Sequence, residues 1–320
     1  MSDPNIWVVS DGAAGNELPA LALANALGRA PPRVLRLRAR WPWQHLAPQW
    51  APVVPATAWL PELLCAPWPE LAIGAGRTGA AALLSIARAS GGRARTLQIL
   101  DPRIAPSKFD LVIAPAHDRL RGPNVLSIEG SLHAIDDACL QRERAADSAL
   151  GALPSPRLIL LIGGPRRGVD FGRDEIERLA AVVAQWRRET AGSVILIGSR
   201  RTPAPWAESL REAVPEPARV WFSPVDGTNP FRGALAWGDV FVVTADSVNM
   251  QSEALGTGRP VYSLGKASGK LGAFQNTLIE SGRLRALEQS IESWNYEPLR
   301  ELARILPAVR KHLKWSDLPR

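Results

Sequence analysis

The sequence predicts an α/β protein with two Rossmann-like, doubly wound domains that face a cleft, and three observations support this fold class. The chain of 320 residues is longer than one core usually fills, so two domains of about 150 residues each are expected. Short apolar runs alternate with helix-like segments, which is typical of parallel sheets covered by helices. The alternation stops at a proline-rich stretch and then begins again, so the two domains follow one another along the chain.

The first domain is predicted over residues 1–150. Helices are expected at Pro19–Leu27 and Gly79–Ser90, between strand-like runs. These runs read "IWVVS" (6–10), "RVLRLRA" (33–39), "LAIGAG" (71–76), "RTLQIL" (95–100), "FDLVIAP" (109–115) and "NVLSI" (124–128). The proline-rich stretch "GALPSPR", from Gly151 to Arg157, is the predicted linker.

The second domain is predicted over residues 151–290. Helices are expected at Asp174–Arg188, at Pro205–Ala213 and through Glu253. The strand-like runs are "LILLI" (158–162), "SVILIG" (193–198), "RVWFS" (219–223), "VFVVT" (240–244) and "PVYSL" (260–264). Residues 291–320 form a third segment, whose apolar stripe Leu299, Leu302, Leu306 and Val309 predicts a helix packing back toward the first domain.

Composition excludes several classes of protein. We find no apolar run of the roughly 18 residues that a membrane span needs and no secretory signal, so a cytoplasmic protein is expected. Cys65 and Cys139 are too few for a disulfide framework, and both are expected to be buried. A net charge of +7 favours anionic partners, namely nucleic acid, phospholipid head groups or phosphorylated small molecules.

The loop after the first strand is rich in small residues. It reads "SDGAAGNELPALALANALG" from Ser10, and Gly12 and Gly15 permit positive φ and close approach of backbone N–H groups to a ligand. A helix N-terminus follows, so the loop suits a phosphate or another anion. The alternative is that the small residues only let the strand and the helix pack closely.

Two further loops follow apolar strands in the second domain. "GGPRRG" contains Gly163, Gly164 and Arg166, and "GSRRTP" contains Ser199, Arg200 and Arg201. Because parallel strands end at one edge of the sheet, these loops are expected to converge there and to neutralise a diphosphate. Taken singly, each arginine could equally be a solvated surface residue.

The densest stretch of polar residues is "TADSVNMQSEALGTGRPVY", from Thr244 to Tyr262. Asp246, Ser247 and Asn249 crowd the start of a predicted helix, and Glu253 lies further along it. Asp246 or Ser247 alone could be a helix N-cap. An N-cap does not account for Glu253, so a ligand site is predicted here.

This stretch resembles the donor-binding helix of glycosyltransferases with two Rossmann domains (GT-B), in which a glutamate binds the ribose hydroxyls of a nucleotide-sugar. Glu253 is the matching residue. The loop after the first strand is similar to the acceptor loop of the lipid-linked N-acetylglucosaminyltransferase of peptidoglycan synthesis, with Asn16 where that enzyme has a histidine. "LIGGPRRG" is similar to that enzyme's second glycine-rich loop.

A resemblance that covers nearly the whole chain is to bacterial relatives of the plant elongated-mitochondria (mitochondrial fission) family. It is carried by "DGAAGN", "GAGRTG", "LQILDPR", "FDLVIAPAHD", "LIGGPRRG", "GSRRTP", "TNPF", "TADSVNMQSEALGTGRPVY" and "GKLGAF", in that order. The resemblance implies a glycosyltransferase-like architecture and, for the plant members, a role in mitochondrial fission.

These observations define the predicted sites. The donor site for a nucleotide-sugar comprises Gly163, Gly164, Arg166, Ser199, Arg200, Arg201, Asn229, Asp246, Ser247, Asn249, Met250 and Glu253. The acceptor site comprises Gly12, Gly15, Asn16, Arg77 and Thr78. Since Asn16 cannot take a proton near neutral pH, the predicted general base is His117 with Asp118 beside it, or Asp11. In the absence of an Asp-x-Asp motif, no metal and no cofactor besides the nucleotide-sugar substrate are expected.

A tryptophan- and arginine-rich segment follows the second strand. Arg36, Arg38, Arg40, Trp41 and Trp43 suit the interface of an anionic membrane, so peripheral binding to the inner membrane is one interpretation. The other is that the arginines cover the solvent face of a strand while the tryptophans pack. Nucleic acid is not expected as a partner, because the phosphate-binding loops form discrete sites rather than an extended groove.

Three functions fit the sequence. The first is an inverting glycosyltransferase with an acceptor that is lipid-linked or an envelope glycan. The second is a non-catalytic adaptor that keeps the GT-B fold and binds a partner protein at membranes. The third, a sugar-nucleotide epimerase, shares the donor features but leaves the acceptor loop without a role.

Overall fold

The computed structural model of the protein describes residues 5–28, 30–50, 54–60 and 65–314. The chain divides into two compact units. Unit 1 contains the residues up to His133 and those from Glu301 onward, and unit 2 is Ala134–Arg300.

Unit 1 is built on a sheet of six parallel strands in the order β2-β1-β5-β6-β7-β8, beside a small antiparallel pair, β3 and β4. Its strands are β1 (Ile6–Ser10), β2 (Arg33–Arg36), β3 (Arg38–Ala39), β4 (Trp59–Leu60), β5 (Leu71–Ala75), β6 (Arg95–Ile99), β7 (Leu111–Pro115) and β8 (Val125–Ile128). Its first three helices are α1 (Ala14–Leu27), α2 (Trp43–Leu46) and α3 (Gly76–Ala89).

The central strands of unit 1 are buried on both faces, which is why they read as unbroken apolar runs. Val8 and Ile73 pack in one core with α1, and Trp7 and Val9 pack in another with α3. The helix α1 begins at Ala14, earlier than the predicted Pro19, and Pro19 lies buried inside it. Burial of the helix outweighs the breaking tendency of Gly15 and Pro19, which the sequence pattern overestimated.

Two further expectations for unit 1 were wrong. The run 33–39 is not one strand, because β3 leaves the main sheet and pairs with β4. Cys65 is exposed, whereas Cys139, in unit 2, is buried as expected.

Unit 2 is built on a second six-stranded parallel sheet, in the order β12-β11-β9-β13-β14-β16, with a small antiparallel pair, β10 and β15. Its strands are β9 (Arg157–Ile162), β10 (Val169–Asp170), β11 (Ser193–Gly198), β12 (Ala218–Trp221), β13 (Val240–Thr244), β14 (Val261–Leu264), β15 (Lys266–Ala267) and β16 (Leu284–Ala286). Its helices are α4 (Asp137–Ala146), α5 (Ser148–Gly151), α6 (Arg173–Thr190), α7 (Ala204–Ala213), α8 (Phe231–Trp237), α9 (Val248–Leu255) and α10 (Gly269–Glu280).

The division into units differs from the predicted boundaries at residues 150/151 and 290/291. The helices α4 and α5 belong to unit 2 because they pack on α8: Arg144 Nε donates to the Ala236 carbonyl at 2.7 Å, and Trp237 Nε1 donates to the Asp147 carbonyl at 2.8 Å. Residues up to Arg300 also stay with unit 2, since Leu299 is buried in its core.

The last helix, α11 (Glu301–His312), belongs to unit 1, as the apolar stripe predicted. It packs on α1 and buries Ile305 and Val309 in the core. Its first residue, Glu301, is buried as well and accepts a hydrogen bond of 3.0 Å from the Glu129 backbone N–H. This helix therefore completes the core of a unit whose other elements all precede unit 2 in the chain.

Candidate functional site

In each unit, the sheet topology identifies the place where a ligand is expected. Numbered in chain order, the strands of the unit 2 sheet run 3-2-1-4-5-6, so the direction of winding reverses between β9 and β13. In doubly wound sheets, ligands bind beyond the carboxyl ends of the strands at that reversal. In unit 1 the reversal lies between β1 and β5.

In unit 2, Gly163 is held from both sides at this point. Its N–H donates to Thr244 Oγ1, at the end of β13, over 2.7 Å. Its carbonyl accepts from Thr202 Oγ1, in the loop after β11, over 2.6 Å. The loops after three neighbouring strands therefore meet here, as the sequence predicted.

Asp246 is the centre of this arrangement. Its buried carboxylate accepts hydrogen bonds from Thr244 Oγ1 at 2.6 Å, from the Gly164 N–H at 3.3 Å and from Arg201 Nη2 at 2.5 Å. Its carbonyl accepts from Arg166 Nη1 at 2.6 Å. The carboxylate therefore has protein partners already, and it fixes the loops in place.

The two glycines after β9 are required by this packing. A Cβ at Gly163 would lie 2.1 Å from Asp246 Oδ1, and a Cβ at Gly164 would lie 2.0 Å from the Arg201 carbonyl oxygen. The small residues of this loop therefore allow the loops after β9, β11 and β13 to pack closely.

The helix α9 begins in the same region and presents two polar side chains. Ser247 is its N-cap, with Oγ accepting from the Met250 N–H at 3.4 Å. Asn249 and Glu253 are four residues apart, so they lie on one face of α9, one turn from each other. Both are partly exposed, and the side chain of neither forms a hydrogen bond or ion pair with any residue that the structure describes.

The environment of Glu253 changes its acidity. Burial raises the pKa of the Glu253 carboxyl to about 7, and the nearby Arg232 only partly offsets this effect. The Glu253 carboxylate accepts no hydrogen bond from the described chain. The hydroxyl groups of a ligand could therefore donate the hydrogen bonds that it lacks.

The remaining predicted donor residues differ in their roles. Arg166 and Arg200 are exposed, and desolvation together with the nearby Arg201 lowers the pKa of Arg166. Asn229 Oδ1 accepts from the Phe231 N–H at 2.9 Å, at the start of α8. Met250 packs against the core of unit 2. The guanidinium of Arg166, which binds the Asp246 carbonyl, therefore lies beside the N-terminus of α9.

The corresponding region of unit 1 contains the loop after β1. Gly12 has a φ of +79°, as expected of a glycine in this turn, whereas Gly15 lies within α1 and lacks a positive φ. Asp11 Oδ1 accepts from the Ala13 N–H at 3.0 Å, and Asn16 Nδ2 lies 3.2 Å from each oxygen of the Asp11 carboxylate.

A pocket of about 350 Å³, which we call the unit 1 pocket, lies beside this loop. Its lining combines polar and apolar residues. The polar residues are Asp11, Asn16, Gln44, Arg77 and Thr78, and the apolar residues are Ala39, Trp43, Ala47, Trp59 and Ala81. Three of the five predicted acceptor residues and one predicted base therefore line one cavity.

The other predicted base lies elsewhere. His117 and Asp118 form a short turn after β7, two strands beyond β5 in the sheet and so about 10 Å further along it. The described lining of the unit 1 pocket contains neither of them.

The residues predicted to contact a membrane divide into two groups. The guanidinium of Arg36 forms two hydrogen bonds, of 2.9 and 2.8 Å, with the carboxylate of Glu17, and Trp43 lines the unit 1 pocket. Arg38 and Arg40 are exposed, and Trp41 is 78% exposed. Two further apolar residues of the same segment, Leu46 (37%) and Trp50 (81%), are exposed as well.

Several residues that organise these regions were also missed. Thr202 lies in the loop after β11 and Thr244 ends β13, and neither belongs to a motif, because threonine is ordinary at both kinds of position. Glu17 lies one turn into a helix that was predicted to begin later, so its partner Arg36 was interpreted as a free surface charge. Gln251 and Gln275 are buried and share the Ser263 hydroxyl, at 3.1 and 2.9 Å, in a network that anchors α9 and α10.

The two parallel sheets, each with polar loops at its reversal point, define a protein of the two-domain GT-B fold. The chain belongs to the family described as Mitochondrial fission ELM1, whose model matches residues 14–313. It is 33% identical to Mitochondrial fission protein ELM1 of Arabidopsis thaliana over 280 residues, which cover 78% of this chain and 65% of the plant protein. The chain therefore spans slightly less than two thirds of that relative's length.

Solved structures share the fold at low sequence identity. One is the spinosyn forosaminyltransferase SpnP, with a TM-score of 0.54, 16% identity, and coverage of 98% of this chain and 96% of that chain. Another is the UDP-GlcNAc 2-epimerase of Methanocaldococcus jannaschii in complex with UDP-GlcNAc and UDP, with a TM-score of 0.54, 11% identity, and coverage of 96% and 99%. These likenesses establish the GT-B fold.

Two features are absent from the residues that the structure describes. None of their helices is long and apolar enough to cross a bilayer. They also contain no group of three or more His, Cys, Asp or Glu residues that is placed to hold a metal ion.

Proposed function

We propose that this protein is a glycosyltransferase that binds a nucleotide-sugar in unit 2 and an acceptor in unit 1. The acceptor is proposed to be lipid-linked, at the inner face of a membrane to which the protein binds peripherally. The proposal joins the GT-B fold with the polar groups at the reversal point of each sheet.

The observation that carries the proposal is the exposed polar face of α9. Glu253 offers a carboxylate with no hydrogen bond to the described chain, and Asn249 lies one turn before it. A ribose presents two adjacent hydroxyl groups, and a carboxylate can accept a hydrogen bond from each. A partly buried carboxylate without a hydrogen bond costs stability, so a ligand role explains why one occurs here.

The diphosphate group of the same nucleotide fits the N-terminal end of α9. The N-terminus of α9 at Ser247 carries a partial positive charge, and Arg166, which binds the Asp246 carbonyl, adds a full charge beside it. Glu253 is the sixth residue after Ser247, which is about 9 Å along a helix and comparable with the distance from a diphosphate to ribose hydroxyls. The epimerase structure that holds UDP-GlcNAc and UDP shares this fold, which supports a nucleotide-sugar as the ligand class.

The membrane part of the proposal depends on the segment from Arg38 to Trp50. It exposes Trp41, Leu46 and Trp50, and no acidic residue occurs from position 29 to position 61. Exposed indoles beside arginines suit the head-group region of an anionic bilayer.

Isothermal titration calorimetry with UDP, GDP, ADP and a sugar derivative of each tests the donor site. We expect one nucleotide series to bind, and Glu253→Gln to weaken that binding at least tenfold. Glu280→Gln, which changes an exposed acid at the end of α10, is the matched control and should bind like the wild type. Equal binding by Glu253→Gln and the control would remove the donor-site assignment.

A non-catalytic adaptor is the second candidate, and the family supplies the observation that favours it. The plant relative is named for mitochondrial fission rather than for an enzymatic reaction. An adaptor would bind the nucleotide without releasing sugar from it. Following the anomeric signals of each nucleotide-sugar by NMR distinguishes the two functions, and it also detects the epimerised product expected of the third candidate, an epimerase.

A further inference from the structure

The unit 1 pocket has a chemically mixed lining. Trp43 contributes partly exposed indole surface, and Asp11, Asn16 and Arg77 contribute planar polar groups. The lining also includes Trp59, which is fully buried. Trp59 is fixed by a hydrogen bond of 3.1 Å from its Nε1 to Ser85 Oγ, and Arg77 Nη2 donates to the Ala47 carbonyl at 2.9 Å, which ties α2 to α3. The pocket is therefore held in shape by its own side chains.

This lining matches a sugar ring. Such a ring has apolar C–H faces that pack on aromatic side chains and a rim of hydroxyl groups that pair with planar polar groups. A volume of about 350 Å³ is near the lower end of the range for ligand pockets, about 300 to 1,000 Å³, so one or two rings fit.

We propose that the unit 1 pocket binds a saccharide ring of the acceptor and that Asp11 takes the proton of its reacting hydroxyl, with Asn16 as the positioning residue. This inference rests on the proposed glycosyltransferase function. It names the acceptor class and selects Asp11 from the bases that the sequence left open.

The geometry around Asp11 supports the choice. The Asn16 amide lies 3.2 Å from both carboxylate oxygens, and the Ala13 N–H binds Oδ1 at 3.0 Å, so the orientation of the carboxylate is fixed. The side of Asn16 that faces the turn before α3 is crowded: a Cβ at Gly76 would lie 2.9 Å from Asn16 Nδ2. Gly76 has a φ of +67°, so the backbone there makes room for the amide that holds Asp11.

The reaction balances without a further reagent. The hydroxyl oxygen of the acceptor forms a bond to C1 of the donor sugar, and its proton passes to the Asp11 carboxylate. The bond from C1 to the phosphate oxygen breaks, and its electron pair leaves with the nucleoside diphosphate. Asp11 then returns the proton to solvent.

The binding half of the proposal is tested without any nucleotide. Saturation-transfer NMR is recorded with the methyl α- and β-glycosides of glucose, mannose and N-acetylglucosamine. We expect at least one glycoside to bind, and Trp43→Ala to reduce its signal at least fivefold, while Trp206→Ala, a partly buried tryptophan of unit 2, leaves the signal unchanged. Binding by none of the six, or equal binding by Trp43→Ala, overturns the sugar assignment even if the donor site is correct.

The catalytic half is tested with the donor found for unit 2 and the glycoside found for unit 1. Asp11→Asn should lower kcat at least 100-fold and leave the nucleotide-sugar Kd within twofold of the wild type, whereas Glu70→Gln, an exposed acid of the same unit, should match the wild type. Retention of more than a tenth of the wild-type kcat by Asp11→Asn overturns the role of Asp11 and leaves the proposed function intact. Absence of turnover in the wild type with every donor contradicts the proposed function and the base together.

Asn16→Ala separates positioning from a general loss of structure. Because the amide orients the Asp11 carboxylate, Asn16→Ala should lower kcat at least tenfold while the nucleotide-sugar Kd and the midpoint of thermal unfolding stay at their wild-type values. An unchanged kcat, or a loss of kcat that comes with a lowered unfolding midpoint, contradicts the assignment of Asn16.

Discussion

The carboxylate of Asp246 and the guanidinium of Arg201 form an ion pair across two loops of unit 2, with Asp246 buried and Arg201 about half exposed. The pair joins the loop after β11 to the loop after β13. Asp246 also accepts hydrogen bonds from Thr244 and from the Gly164 N–H. Its negative charge therefore stabilises the loops of unit 2 in the absence of a ligand.

Replacing this carboxylate should destabilise unit 2. Asp246→Asn leaves the hydroxyl of Thr244 and the guanidinium of Arg201 without a charged acceptor, which costs about 2 to 4 kcal/mol in the free energy of unfolding. Chemical denaturation measures it, with the exposed Asp174→Asn as control. A loss no larger than in the control would mean that the pair does not hold the loops.

The two kinds of glycine should respond oppositely to alanine. Gly163→Ala places a Cβ against the Asp246 carboxylate and should lower the free energy of unfolding by about 2 kcal/mol or more. At Gly15, inside α1, a Cβ meets no atom within 4 Å, so Gly15→Ala should be neutral or stabilising by about 0.5 to 1 kcal/mol. Thermal and chemical unfolding compare the two variants, and a similar effect at both positions contradicts the packing argument.

The pKa of Glu253, about 7, predicts a pH dependence of ligand binding. Nucleotide affinity should increase as pH rises through about 7, because the ionised carboxylate is the better acceptor for ribose hydroxyls. Calorimetric titration between pH 5.5 and pH 8.5 follows the change, and in Glu253→Gln the affinity should no longer depend on pH in this way.

The same residue should affect stability with a definite sign. The pKa of Glu253 is 4.5 in the unfolded chain and about 7 in the folded protein. The folded protein therefore loses stability as pH rises from 4.5 to about 7, and this loss remains at higher pH. Glu253→Gln should therefore be more stable than the wild type at pH 8, by about 1 to 3 kcal/mol, and the gain should shrink toward pH 5. Denaturation at both pH values measures it.

Glu17 should show the opposite behaviour. Hydrogen bonds from Arg36 lower the pKa of this carboxyl, so its stabilisation is present above pH 4.5 and is lost as pH falls through the lowered value. Glu17→Gln should cost about 1 to 2 kcal/mol at pH 7 and much less in acid. Denaturation at pH 7 and pH 3.5 tests this, and an equal difference at both values is evidence against the ion pair.

The exposed tryptophans should control binding to membranes. Replacing both Trp41 and Trp50 with serine should reduce binding to vesicles of phosphatidylglycerol and phosphatidylethanolamine at least tenfold, because their indoles no longer enter the head-group layer. Val225→Ser, at a residue of unit 2 that is 92% exposed, is the control. Co-sedimentation measures the bound fraction, and the proposal fails if the wild type does not bind or the double variant binds equally well.

The fold could be predicted from the sequence because its strands are buried on both faces. Runs such as "LILLI" and "VFVVT" stand out from the polar loops, and parallel order follows from the intervening helices. The boundary between the two units could not be predicted from the sequence. Whether α4 packs on α8 depends on contacts such as Arg144 with the Ala236 carbonyl, which join residues 92 apart.

The candidate site could be predicted from the sequence only in part. Loop positions could be predicted, since parallel strands end at one edge, and Ser247 as an N-cap follows from local chemistry. The partners of charged groups could not be predicted. In the sequence, Arg36 and Arg201 look like unpaired cations. Only the tertiary structure brings Glu17 to Arg36 and Asp246 to Arg201.

The position of α11 has a consequence for how the chain is made. Unit 2 is encoded within one continuous stretch, so it can fold on the ribosome as soon as that stretch has emerged. The core of unit 1 must wait, because Ile305 and Val309 are translated only after the whole of unit 2. During that interval, the surface of α1 that α11 will cover is open to chaperones, and ribosome-bound chains that stop near residue 300 should be more sensitive to protease in unit 1 than in unit 2.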